Sequence, residues 1–181
     1  PGGFPARAGA ERFDRPWSLS SPNVHSMMQD REGNLWVGTV GGLDRFRHNK
    51  LIRIPLPPGA ERLALAQDAS GALWATTRSV GIGGLLWQIR DGTMVGQPSG
   101  QRVDMVVAGN GGTVLVAGEG GIERRLGERI LERYPVPPLR PGEQSGTIVV
   151  LVAEDRDSLW LGIGGRGVYR WHGGRWAPPS D

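Results

Sequence analysis

The chain has no cysteine in 181 residues. That excludes a disulfide framework and any thiolate nucleophile or thiolate metal site, and it fits cytoplasm and periplasm equally. Lysine is nearly absent too: Lys50 is the only one, so arginine carries almost all the positive charge. Lys+Arg number 21 against 18 Asp+Glu, a net charge of only +3. The densest basic run, Glu123 to Arg129, is interleaved with acids, so the clustered positive charge that nucleic-acid binding requires is missing. No apolar run approaches a membrane span, so membrane association is expected only through segments outside this chain. No stretch shows a 3.6-residue period with caps, and helices are not expected. The chain opens on Pro1 with neither Met nor signal peptide, which suggests a mature or excised segment.

Glycine and tryptophan are abundant: 30 Gly and 7 Trp, beside 14 Pro, 3 Phe and 2 Tyr. Their placement is periodic. Gln29-Asp30-Arg31-Glu32-Gly33-Asn34-Leu35-Trp36-Val37-Gly38-Thr39, closed by Gly41-Gly42-Leu43, reads as a turn, an apolar strand, a glycine break and a second strand. Gln67 to Trp74, with Gly83-Gly84-Leu85 behind it, repeats the pattern almost position for position. Gly109 to Gly118 is a degraded copy, and Asp155 to Gly162 a copy shortened by one residue in its turn. With Trp36, Trp74, Leu115 and Trp160 as equivalents, the steps are 38, 41 and 45 residues. A period near forty built from strands and turns is the mark of a β-propeller blade.

The fold class expected is therefore all-β: a propeller of about four blades of four antiparallel strands, forming an arc of a larger propeller. Residues 1–10 read as a flexible lead-in and 11–181 as blades, spanning approximately 24–54, 63–97, 103–134 and 148–177. Outer-strand-like segments at both ends (Glu11 to Phe13 and Arg175-Trp176) favour an arc over a closed ring, and an open arc invites self-association through its edges. The inner strands, such as Val149-Val150-Leu151-Val152, read as apolar runs covered on both faces. Each repeated Trp is expected to fill the gap to the next blade.

The pattern Asp-x-x-Gly-x-Leu-Trp-x-Gly-Thr-x-x-Gly-Gly-Leu, best matched from Asp30 to Leu43, resembles the propeller repeat of bacterial two-component regulators. The resemblance implies the periplasmic sensor region of a hybrid histidine kinase or diguanylate cyclase, whose catalytic output module and membrane anchor would lie outside this segment. The structural repeat positions are Asp30, Gly33, Trp36, Asp68, Gly71, Trp74, Asp155 and Trp160.

Few side chains suggest chemistry. Asp30, Asp68 and Asp155 precede turns, where an aspartate caps free amides, so they are read as structural rather than as metal ligands. His25, His48 and His172 have no spaced partner for a metal or a nucleophile–base pair. No catalytic residue, metal or cofactor is assigned. In a propeller the loops joining second and third strands ring the mouth of the channel, with the connectors beside them. This places Arg78, Glu119 and Arg166, with Arg62 and Arg102 from the connectors and His25 at an inner-strand start, as the candidate ligand-binding set. Converging arginines hold a carboxylate, phosphate or sulfate bidentately.

The function expected is a non-catalytic ligand-sensing or interaction module of a signalling receptor, its partner a small molecule, glycan or peptide. Two alternatives stand beside it: a passive protein-interaction scaffold, and a lyase or hydrolase similar to streptogramin lyases. The enzyme would need a His/Glu constellation, for which only His25 and Glu119 are available.

Overall fold

The computed structural model describes residues 19–47, 50–56, 60–79, 83–90, 93–97 and 102–177. Within them the chain forms four antiparallel meanders of four strands each. The first sheet is β1 (Val24–Gln29), β2 (Leu35–Thr39), β3 (Gly42–Arg47) and β4 (Lys50–Ile54). The second is β5 (Ala60–Gln67), β6 (Leu73–Ser79), β7 (Gly83–Arg90) and β8 (Thr93–Gln97). The third is β9 (Val103–Ala108), β10 (Val114–Gly118), β11 (Gly121–Leu126) and β12 (Arg129–Tyr134). The fourth is β13 (Ile148–Ala153), β14 (Leu159–Ile163), β15 (Gly167–His172) and β16 (Arg175–Ala177). The strands fall where the repeat predicts them, and the only helical turn among the described residues is a 3-10 turn at Asn110–Gly112. The segments 1–10 and 11–13, His48 and the Asp91-Gly92 turn lie outside the described residues.

The repeat sets the register. Gly33 and Gly71 each take a positive φ, 80° and 84°, in the turn between first and second strands, a conformation L side chains rarely adopt. Past that turn, Trp36 pairs with Met28 and Arg45, Trp74 with Ala66 and Gln88, Leu115 with Val107 and Arg124, and Trp160 with Val152 and Arg170. The four signature residues are thus equivalent in three dimensions.

Packing runs from each sheet to the next. Trp36, Leu43 and Ile54 of the first sheet bury themselves against Leu63, Leu73, Ala75 and Ile89 of the second. Ala66, Trp74 and Leu86 of the second meet Val103, Val106, Val114 and Val116 of the third. Leu115, Ala117, Ile122 and Tyr134 of the third meet Ile148, Leu151, Leu159 and Leu161 of the fourth. The approach is close: a Cβ on Gly38 would lie 2.9 Å from the Cβ of Leu63. Polar staples join the same seams. Arg31 Nη1 donates to the Ala69 carbonyl at 2.9 Å, Gly127 N to Asp68 Oδ2 at 2.6 Å, and Arg124 Nη2 to the Arg156 carbonyl at 2.8 Å.

No core cluster joins the fourth sheet back to the first among the described residues. The four sheets therefore form an open arc, and two expectations need correction for that reason. The inner strands are not all covered on both faces: in β13 Leu151 is buried, but Val149, Val150 and Val152 are each about half exposed. Trp36 and Trp74 fill inter-sheet gaps, whereas Trp160 is only half-buried, since no sheet among the described residues packs over it.

Candidate functional site

At the end of the sheets where inner strands begin, one backbone link recurs. The amide of Val40 donates to Asn23 O at 3.2 Å, that of Glu119 to Arg102 O at 2.9 Å, and that of Gly164 to Thr147 O at 2.9 Å. On the second sheet the corresponding positions are Arg78 and Arg62, which face each other in the β5–β6 register. Arg62 and Arg102 therefore occupy the same connector position of adjacent sheets, and Arg78 and Glu119 the same loop position. Sequence reasoning collected these four as rim residues without seeing that they are two equivalent pairs. The side chains of Arg62 and Arg78 lie outside the described ones.

His25 is exposed and is the extra residue of a β-bulge between Val24 and Ser26. The same bulge position is Asp104 in the third sheet and Val149 in the fourth. Asp104 was not anticipated, and it governs Arg102. Its buried carboxylate lies 3.0 Å from Arg102 Nε and accepts from the amide of Ile148 at 3.1 Å. No local motif announces it, because its partner amide is 44 residues away.

Arg166 does not belong to an open rim. Its guanidinium is folded under the connector between third and fourth sheets, donating to the carbonyls of Pro137 and Pro138 at 3.1 and 2.8 Å and to Glu143 Oε2 at 3.2 Å. It also lies 5.5 Å from the centre of the Tyr169 ring. The amide of Arg140, more than the charge of Arg166, holds the Glu143 carboxyl below its usual range. Glu119 is exposed on the third sheet and His25 on the first, and no hydrogen bond or ion pair joins the two among the described residues. Among the described residues no group of three His, Asp or Glu side chains converges on a metal-sized space.

At the opposite end the repeated aspartates do more than cap turns. Asp30 Oδ1 accepts from the amides of Glu32 and Asn34, at 3.0 and 2.8 Å, while Oδ2 takes the Asn34 side chain and Trp36 Nε1, both at 2.7 Å. Asp68 repeats this with Ser70, Ala72 and Trp74 Nε1 (3.1 Å), and adds Gly127 from the next sheet. Burial alone would raise both carboxyls; the hydrogen bonds outweigh it and hold both below the ordinary value of 3.8. The six-residue Asp-to-Trp spacing in two copies was the available signal for this clasp. The third sheet, with Leu115 in place of Trp, uses buried Arg124 instead. Its Nε and Nη2 donate to Tyr134 Oη at 3.0 and 2.7 Å, and burial with neighbouring Glu132 pushes that phenol up to about 12. In the shortened fourth copy Asp155 caps the amide of Asp157 at 2.8 Å, which lowers its carboxyl. Ser158 Oγ there meets His172 Nδ1 at 2.8 Å, and Trp160 lies under Arg170, 5.5 Å from its guanidinium.

Four meanders, each closed by its own turn clasp and packed face to face around an arc, define a β-propeller assembly. Residues 18–41 match the family model of the two component regulator propeller, so the repeat resemblance is shown for that stretch. No curated protein matches the chain. Among solved structures, one described as the extracellular domain of a hybrid two component system from B. thetaiotaomicron superposes with a TM-score of 0.61 at 18% identity. It covers 93% of this chain, which spans 23% of its length. A protein of unknown function from Bacteroides caccae gives 0.55 at 11% identity, covering 87% of this chain and 60% of its own. At these identities the likeness is one of fold. Among the described residues no helix is long and apolar enough to cross a membrane.

Proposed function

We propose that the chain is a non-catalytic sensing module from the periplasmic region of a bacterial signal-transduction receptor, of two-component or cyclic-di-GMP type, and that it reads a small molecule, glycan or peptide bearing an anionic group. The observation that carries the reading is the two component regulator propeller match at 18–41, set within a fold like that of an extracellular receptor domain. The anion preference is drawn from the rim. Arg62 and Arg78 stand at facing positions of β5 and β6. Like charges directly opposite across a strand pair oppose folding, and a shared carboxylate, phosphate or sulfate removes that cost. Arg102, beside them on the third sheet, is held by Asp104 and sets the edge of the site. Any kinase or cyclase output belongs to other segments of the receptor.

The test is a thermal-shift screen of the purified chain against sugars, organic acids, sulfated glycans and peptides. A raised melting temperature with one anionic class, lost in Arg62→Ala/Arg78→Ala while the unliganded melting temperature is kept or rises, supports the reading. A uniformly flat screen favours the passive scaffold.

A further inference from the structure

The charges along the rim change sign from the second sheet to the third. On the second, Arg62 and Arg78 stand at facing positions of β5 and β6. On the third, the corresponding residues are Arg102 and Glu119, joined by the hydrogen bond from the Glu119 amide to the Arg102 carbonyl at 2.9 Å. Arg102 is already neutralised, because the Asp104 carboxylate lies 3.0 Å from its Nε on a side chain only 3% exposed. Glu119 is exposed, and among the described residues no hydrogen bond or ion pair engages its carboxylate. The second sheet therefore brings two cations to this stretch of rim, and the third a closed ion pair and one further carboxylate.

Backbone packing brings the two halves together. Gly84 pairs with Arg78 in the β6–β7 register, and a Cβ on it would collide with the Val103 carbonyl. From the other side, a Cβ on Gly118 would lie 2.9 Å from Val103 Cα. The Arg102–Val103 backbone is thus gripped between the Arg78 end of the second sheet and the Glu119 end of the third. Three steps of about one strand spacing each (Arg78 to Gly84, Gly84 to Val103, Arg102 to Glu119) put the two loop residues on the order of 15 Å apart. Arginine and glutamate side chains span most of such a distance. The remainder suits a small molecule rather than a chain of sugars or a protein.

We propose that the ligand of this site is a small zwitterion of the amino-acid class, its carboxylate shared by Arg62 and Arg78 and its ammonium group held by Glu119. The inference rests on the anion-reading assignment above and narrows it. Sulfate, simple organic acids and sulfated glycans satisfy the arginines, but each brings a like charge up to Glu119. An ammonium group on the ligand removes that repulsion and adds a charge-assisted hydrogen bond to the carboxylate. Asp104 sharpens the selection: by occupying Arg102 it keeps the third sheet's side of the rim from acting as a second anion site.

The test is calorimetric titration of the full chain with glycine, γ-aminobutyrate and ε-aminocaproate, each beside its N-acetyl derivative, which keeps the carboxylate and removes the cationic amine. Sulfate serves as the plain anion. At least one amino acid is expected to bind about tenfold or more tightly than its derivative, the scale of one charge-assisted hydrogen bond. Glu119→Gln, at an exposed position where the fold tolerates substitution, is expected to erase that difference, with unchanged circular dichroism confirming the fold. Equal affinities of amino acid and derivative in wild type, or binding of sulfate alone, overturn the zwitterion inference and leave the anion reading standing. A preference for the amine that persists in Glu119→Gln also overturns it, because the ammonium is then held elsewhere. Binding of none of these probes removes the anion reading and this inference with it.

Discussion

Trp36 Nε1 donates to Asp30 Oδ2 at 2.7 Å across the turn that separates them, and Trp74 does the same to Asp68 at 3.1 Å. One carboxylate therefore organises the turn amides and fixes the ring that fills the seam to the next sheet. Local turn chemistry and long-range packing are joined through a single side chain.

Replacing Asp30 by Asn keeps the shape of the clasp and spoils its pattern. An amide nitrogen at the Oδ2 position would face two donors, Trp36 Nε1 and Asn34 Nδ2. The loss of buried acceptor bonds is expected to cost about 1–3 kcal/mol. Chemical denaturation of Asp30→Asn should show an earlier midpoint with an unchanged slope. A midpoint equal to wild type would mean the indole bond contributes nothing.

The same carboxylates predict the direction of acid unfolding. Asp30 and Asp68 both titrate below 3.8 in the folded chain. The folded state therefore binds fewer protons than the unfolded one in acid. Their contribution is fully present above the ordinary aspartate range and is lost as the pH falls through the depressed folded values. Asp68→Asn should flatten the acid limb of stability against pH, besides lowering stability at neutral pH. Denaturant midpoints from neutral to strongly acid solution measure this, and parallel limbs in the two proteins would assign the acid sensitivity elsewhere.

Much of this architecture could be read from the chain because its cause is local. Asp-x-x-Gly sets a turn, the apolar run after it sets a strand, and the forty-residue step repeats both. What escaped reading is set by partners distant in sequence. Arg166 looked like a rim cation, but carbonyls 28 and 29 residues earlier take its fork. Arg124 replaces the lost clasp of the third copy through Tyr134, visible only once β11 and β12 pair. Trp160 has the sequence environment of a buried Trp; its exposure depends on whether another sheet follows, and residue 160 carries no information about that.

Equivalent tryptophans should therefore differ in cost. Trp74 is fully covered between second and third sheets, and truncation to Ala is expected to remove about 3–5 kcal/mol, enough to unfold a domain of ordinary margin. Trp160→Ala should cost distinctly less, because half-covered surface is lost and no internal cavity forms. Thermal melts of the soluble fraction compare them; equal losses would place Trp160 in a covered seam within the single chain.

Arg166 gives the sharpest separation between structural and binding roles. Its guanidinium ties Pro137, Pro138 and Glu143 to the fourth sheet, using donors in several directions that a lysine ammonium at one point does not reproduce. Arg166→Ala is expected to release the connector from 135 to 146, so that a glutamate-specific protease cuts after Glu143 several times faster than in wild type while the melting temperature falls only modestly. Arg166→Lys should resemble Ala more than wild type in cleavage rate. Binding of any anionic ligand found at Arg62 and Arg78 should be unchanged in both variants, since Arg166 is occupied by its own chain. Loss of that binding with the connector still protected would move Arg166 back to the rim.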